Sequence, residues 1–228
     1  MPALAKAQIQ PILDRNVWFA GQPQTLKSAL IAHGRIVEVE RGQWVYGAGD
    51  ELNGLYAVLD GSVQMMMSTF AQEDVLIDIA WSGQIFGQAS QFGGGPRLVT
   101  ALAGGRSTLL FIPDHALRDI ARAQPSVWRN FASLFYAQLG GALMLAVNMI
   151  HLTPPARITA RLLLLAGSSA GDGAELRITQ SQIAELTGLT RKTVNFHLTQ
   201  FAKRGIAEPA YGGIILRNIA EMRRIARG

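Results

Sequence analysis

The chain has 228 residues, 49% of them hydrophobic and 16% charged, with net charge +5 and no cysteine. That composition supports a packed core and excludes a disordered chain. The missing thiols exclude disulfides, cysteine-held iron–sulfur clusters, thiolate zinc sites and cysteine nucleophiles.

The charge is unevenly placed. Residues 151–228 carry 11 Lys+Arg against 5 Asp+Glu, whereas residues 1–150 carry 10 against 11. A basic C-terminal third on a near-neutral remainder predicts that the tail meets a polyanion. No apolar run reads as long enough to cross a membrane, and the N-terminus lacks a signal-peptide pattern, so the cytoplasm is the expected location.

Residues 1–30 show mixed helical signals, first Ile9, Ile12 and Leu13, then Val17, Trp18 and Phe19, and are expected to pack on the next part of the chain. From 35 to 113 the texture changes. Short apolar segments at 36–39, 44–46, 55–59, 63–67, 75–80 and 109–112 alternate with turn signals at Arg41 and Gly42, at 47–50, at Asp60 and Gly61, and at Ser82 and Gly83. Such punctuation predicts an antiparallel barrel or sandwich. Met65, Met66 and Met67 read as strand packing. Soft thioethers bind copper, but no neighbouring residue supports that here.

Residues 113–124 predict a short helix, and 126–152 a long one. The long helix is apolar almost all round, through Phe131, Leu134, Phe135, Leu139, Leu143, Leu145, Val147 and Ile150, and its only charge is Arg129. A helix without a polar face has to be covered on all sides. A second copy of the chain is the expected cover, and burial within the monomer is the alternative. Thr153, Pro154 and Pro155 end the helix and mark a linker. A helix over 156–166, a loop over 167–173 and a short strand over 176–178 come next.

Residues 178–205 read as two short helices joined by a tight turn. Ile183 and Ala184 form the inner side of the first, Gly188 marks the turn, and Thr190 is the N-cap of the second. Val194, Leu198 and Phe201 form one apolar stripe, with Lys192, Asn195, Phe196, Thr199 and Lys203 opposite. A basic polar helix held at a fixed angle by its partner fits the DNA major groove. The segments 206–208 and 213–216 flank Tyr211 and Gly212 as a hairpin, and so form a wing. Residues 219–227 predict a terminal basic helix.

This order of parts resembles the cyclic-AMP receptor protein and Fnr (Crp/Fnr) family of bacterial transcription regulators. The resemblance rests on Gly49 and Asp50, the run 55–61, the segment from Gly83 to Gln88 with Pro96 and Arg97, and the run 190–194. It implies an α+β fold with three parts. Residues 1–124 would form an antiparallel β-barrel or jelly roll of the cyclic-nucleotide-binding type. Residues 125–154 would form a dimerisation helix and hinge, with Phe131, Leu134, Phe135, Leu139 and Leu143 as its seam. Residues 155–228 would form a winged helix-turn-helix. The resemblance further implies a homodimer on a two-fold symmetric operator, with double-stranded DNA and RNA polymerase as partners and no membrane.

The resemblance also places an effector pocket at Gly87, Gln88, Arg97, Leu98 and Thr100. Arg97 stands where nucleotide-binding members pair an arginine with the cyclic phosphate, a role a guanidinium fork suits. Gln88 replaces the glutamate that takes the ribose hydroxyl, and bulky Leu98 stands at a small position, where it would crowd the phosphate. The expectation is therefore an unidentified small effector or none, with cyclic-nucleotide control as the alternative. The oxygen-sensing type needs cysteines, so no iron–sulfur cluster is expected. The heme-based type uses a cysteine and a histidine where Gly87 and Ala89 stand, so heme is not expected. His33, His115, His151 and His197 are scattered, and no metal site is expected.

For DNA, Arg191 matches a base-reading arginine, with guanine O6 and N7 as its expected target. Lys192 stands at the family's glutamate and Phe196 at a second arginine, where its ring would press on a thymine methyl. These changes predict an operator different from that of the cyclic-AMP receptor protein. Asn195 would bond adenine. Thr179, Gln180 and Ser181 open the first helix toward a phosphate, with Thr190, Lys203, Arg204 and Tyr211 as further DNA contacts. His197 reads as a half-buried packing residue. No Ser–His–Asp order, phosphate loop or carboxylate pair supports an enzyme. The alternative of another class is a ligand-binding module without DNA binding.

Overall fold

Strand β3 (Gly54–Asp60) shows how the barrel is built. Successive side chains on a strand point to opposite faces. Leu55, Ala57 and Leu59 enter one apolar cluster and Tyr56 and Val58 another. A strand buried on both faces has to lie between two layers, which is why 55–59 is a continuous apolar run. The structure, a computed structural model, describes residues 6–51, 54–87, 95–167 and 170–227. The chain divides into two compact units, Met1–Leu139 and Gly140–Gly228.

In the first unit, β1 (Arg35–Val39), β8 (Ser107–Pro113), β3 and β6 (Ile85–Phe86) form one antiparallel sheet in the order β1-β8-β3-β6. Strands β2 (Trp44–Tyr46), β7 (Thr100–Ala103), β4 (Ser62–Ser68) and β5 (Asp74–Trp81) form the other in the order β2-β7-β4-β5. Val58, Val63, Ala101, Ala103 and Leu109 fill the space between them. Met65 is buried there, whereas Met67 is 48% exposed. The turn from β3 to β4 requires Gly61, with φ +82, because a Cβ there would strike Ser107 Oγ and Arg106 O.

The outer face of the first sheet is covered by helices α1 (Lys6–Leu13), α2 (Val17–Ala20), α3 (Gln24–His33) and α4 (Asp114–Ala123) and by the start of α5 (Val127–His151). Here the structure corrects two expectations. Phe131 and Leu134 belong to this intramolecular core, only 1% and 4% exposed, and not to an outward seam. Trp18 stacks on Phe131 at 5.9 Å between centroids and donates from Nε1 to Asn130 O at 2.7 Å. The second correction concerns apolar length. α5 has 25 residues with a mean hydropathy of 1.4 over an 18-residue window, long and apolar enough by composition alone to cross a membrane. Interspersed Asn, Gln and Gly residues break the run in the sequence without lowering its mean hydropathy far.

In the second unit, α6 (Pro154–Ala166) begins on two prolines behind Thr153. Proline suits the first turn of a helix, where its missing N–H has no intrahelical partner to lose. It is followed by β9 (Ala174–Leu176), α7 (Gln180–Thr187), α8 (Arg191–Lys203), β10 (Ala207–Ala210), β11 (Gly213–Leu216) and α9 (Ile219–Ala226). The three strands pair antiparallel as β10-β11-β9, and Tyr211 and Gly212, with φ +71 at Gly212, form the turn of the wing. The core of this unit includes Ile158, Leu162, Ile183, Val194, Leu198, Phe201 and Met222, each 2% exposed or less.

Candidate nucleic-acid interface

The angle between α7 and α8 is set by local chemistry. Thr179 and Gln182 form a capping box: Thr179 Oγ1 accepts from Gln182 N at 3.2 Å, and Thr179 N donates to Gln182 Oε1 at 2.8 Å. Gly188 ends α7 in the left-handed region at φ +61, and Met149 Cε lies 2.5 Å from where a Cβ on it would stand. Thr190 then caps α8, accepting from Thr193 N at 3.1 Å. The hydroxyls of Thr179 and Thr190 thus serve their own helices. Arg157, which nothing in the sequence pattern singles out, adds a brace. Its Nη2 donates to Leu152 O at 3.1 Å and its Nη1 to Thr187 O at 3.2 Å, tying the chain after α5 to the C-terminus of α7. An arginine facing two helix ends has no local sequence signature.

With Val194, Leu198 and Phe201 buried inside, α8 presents Arg191, Lys192, Asn195, Phe196, Thr199 and Lys203 to solvent. Phe196 is 58% exposed on this outer face. Gln180, Arg191, Lys192 and Asn195 line a shallow depression of about 370 Å³, where Gln180 Nε2 donates to Asn195 Oδ1 at 3.3 Å. Ser181 is exposed beside Gln180. His197 is half-buried, its ring centroid 5.1 Å from Phe196 and 6.5 Å from Phe201, and burial holds its pKa below the usual histidine value. Arg204 pairs with Glu221 at 2.8 Å, while Arg217 pairs with Glu208 on the wing. Tyr211 projects fully from the wing tip.

The other site is in the barrel. Arg97 is 5% exposed. Its Nη2 donates to Gly54 O at 3.1 Å and its Nη1 to Gly87 O, and the guanidinium carbon lies 4.2 Å from the Tyr46 centroid and 5.8 Å from that of Tyr56. The backbone holds it there: Gly49 N donates to Arg97 O at 2.8 Å, and Arg97 N to Asp50 O at 3.0 Å. Burial lowers the Arg97 pKa, and the adjacent Tyr46, Tyr56 and Asp50 oppose that shift. Burial also pushes the Tyr46 phenol up to about 12. Tyr46, Tyr56 and Phe86 cluster around the group, with centroids 5.4–6.1 Å apart.

Thr100 Oγ1 accepts from Ala48 N at 3.0 Å, and Leu98 is 72% exposed rather than turned inward to crowd a ligand. Gln88 and Ala89 lie outside the described residues. A cyclic phosphate would need an open guanidinium fork. Arg97 instead braces two carbonyls with a ring against its face. Among the described residues, no three His, Asp or Glu side chains are placed to hold a metal ion.

Comparison with known proteins extends this picture. Residues 36–124 match the cyclic nucleotide-binding domain, and residues 156–225 match the Crp-like helix-turn-helix domain. The chain belongs to the Crp/Fnr family. It is therefore a regulator of transcription that binds DNA through its helix-turn-helix, in a family of regulators rather than enzymes whose members bind DNA and dimerise.

Among its relatives is a CRP-like cAMP-activated global transcriptional regulator of Mycobacterium tuberculosis. The two are 27% identical over 221 residues, 95% of this chain and 99% of that one. The fumarate and nitrate reduction regulatory protein of Escherichia coli K12 is 24% identical over 173 residues, 74% and 69% of the respective chains. FixK2 from Bradyrhizobium japonicum has the same fold, with a TM-score of 0.74 and 19% identity over 84% of this chain and 96% of that one.

Proposed function

We propose that this Crp/Fnr member acts in the cytoplasm as a homodimer on a two-fold symmetric operator and works with RNA polymerase. Residues 1–124 serve as sensor, 125–154 as dimer helix and hinge, and 155–228 as DNA reader. The observation that carries the dimer is the exposed apolar surface of α5, where Tyr136, Met144 and Met149 flank one continuous stripe. Phe135, Leu139, Leu143, Val147 and Ile150 recur every three or four residues and are 38%, 45%, 61%, 50% and 76% exposed. A helical seam of that kind is buried by a second copy of itself.

On DNA, Arg191 takes a guanine edge, Asn195 an adenine, and Phe196 a thymine methyl. Lys192 and Lys203 neutralise phosphates, while the start of α7, capped by Thr179, offers the backbone N–H groups of Gln180 and Ser181 to another. Thr190 orients Arg191 by capping its helix.

Selection of bound sites from random duplex DNA tests this reading. It should yield two inverted half-sites about one helical turn apart. Arg191→Ala should then cost about 1–3 kcal/mol and blur one base position. A uniform loss with base preference intact would sink the assigned role of Arg191.

For the barrel, the reading is an effector other than a cyclic nucleotide, or none, in keeping with the engaged Arg97. A second reading, cyclic-nucleotide control, has the domain match over 36–124 and the cAMP-activated relative in its favour. Isothermal titration with cyclic AMP and cyclic GMP separates the two.

A further inference from the structure

The depression between α7 and α8 combines two unlike pairs of side chains. Arg191 and Lys192 are cations, while Gln180 and Asn195 are primary amides from different helices. The cations suit phosphates and guanine, and the amides have a chemistry of their own. Gln180 Nε2 donates to Asn195 Oδ1 at 3.3 Å across the gap. The contact orients the Asn195 carboxamide: Oδ1 faces α7 but keeps a second lone pair, and both Nδ2 hydrogens stay free of this contact. An acceptor and a donor side by side complement the N6–H and N7 edge of adenine in the major groove. An asparagine oriented before binding loses less freedom when it docks than one that has to be ordered by the base. The backbone on both sides is stiff, because Gln180 follows the Thr179 cap and Asn195 lies in the second turn of α8, where Asn195 O accepts from Thr199 Oγ1 at 2.8 Å.

We propose that Gln180 is a positioning residue for sequence specificity: from the first turn of α7 it orients the Asn195 amide so that Asn195 reads an adenine. The proposal rests on the DNA reading given above and assigns Gln180 a role beyond opening a phosphate site. It predicts that base discrimination at one position depends on a side chain outside the recognition helix.

The test uses the full-length protein and an operator selected from random DNA. Each adenine is replaced in turn by 7-deazaadenine, which keeps N6 and base pairing but removes N7. At one adenine per half-site the wild type should lose about tenfold in affinity, within the range of a bidentate amide–adenine contact. Asn195→Ala should bind more weakly but be indifferent to the replacement there. Gln180→Ala should show a deaza penalty of about threefold or less, with the wild-type salt slope and melting temperature. Gln180→Glu has the same shape but cannot donate, and should also lose the penalty. Each penalty is a ratio taken on one protein, so a general change in charge cancels.

A full tenfold penalty in both Gln180 variants overturns the role of Gln180. A penalty that survives in Asn195→Ala, or an operator in which no adenine responds, overturns the adenine assignment. Failure to select any DNA site overturns the DNA reading itself and this inference with it.

Discussion

Replacing Arg97 with methionine keeps most of the side chain's bulk and removes its guanidinium. Two carbonyls, of Gly54 and Gly87, then lose a buried donor, and Tyr46 loses the cation against its face. An unmet buried carbonyl costs about 1–3 kcal/mol, and a desolvated cation–π contact is worth about 2 kcal/mol. Against this, the variant no longer desolvates a charge, a cost that the lowered pKa of Arg97 registers. The net loss should be about 2–4 kcal/mol.

For a unit of this length, 1 kcal/mol corresponds to roughly 4 °C in melting temperature, so the barrel transition should fall by about 8–16 °C. Thermal melting followed by circular dichroism measures it. Arg97→Lys keeps the charge but not the planar fork, and should fall between the variant and the wild type. A methionine variant that melts within about 2 °C of the wild type would refute the brace. A saturable rise in wild-type melting temperature with micromolar cyclic AMP would refute it differently, since it would mean that a phosphate competes for the guanidinium.

Other parts of the molecule give three further expected outcomes. Leu143→Glu places a charge in the exposed stripe of α5. Light scattering should then report the 24.6 kDa monomer, and operator affinity should drop by about a hundredfold or more as avidity is lost. An unchanged mass would remove α5 as the dimer seam. Lys203→Ala should weaken binding to all sequences alike and reduce the salt slope by about 1, and an unchanged slope would place Lys203 away from phosphate.

His197 has its pKa lowered by burial, so the unfolded chain takes up a proton more readily than the folded one. Stability is then fully present above the ordinary histidine pKa of about 6.5 and is lost as pH falls below it. His197→Gln should flatten the melting temperature across that range. Equal acid sensitivity in the variant would assign the effect to another group.

Much of this architecture is legible along the chain because its causes are local. Turn glycines at 42, 49, 61 and 83 all adopt positive φ where the sequence marks turns. The caps at Thr179 and Thr190, the left-handed Gly188 and the inner stripe of α8 each arise from residues within one or two turns of one another. Strands β6 and β7 escape such reading: β6 is two residues long and β7 is Thr-Ala-Leu-Ala, too short and too weakly branched to carry a strand signal.

The remaining features depended on long-range packing. Whether Phe131 and Leu134 line an outer seam or an inner core depends on Trp18 and the helices around it, because an apolar helix carries no mark of which neighbour will bury each face. Arg97 reads in sequence as an anion-binding arginine, but its partners are the carbonyls of Gly54 and Gly87 and the ring of Tyr46. Gly54 and Tyr46 are distant from it in the chain, and carbonyls carry no residue identity. The sequence by itself determined the reading helix, the wing and the barrel's punctuation, since each is a short-range balance of sterics and capping. The tertiary structure alone decided which apolar residues of the long helix stay exposed and which carbonyls the barrel's buried arginine braces, since both depend on atoms brought together only when the chain closes on itself.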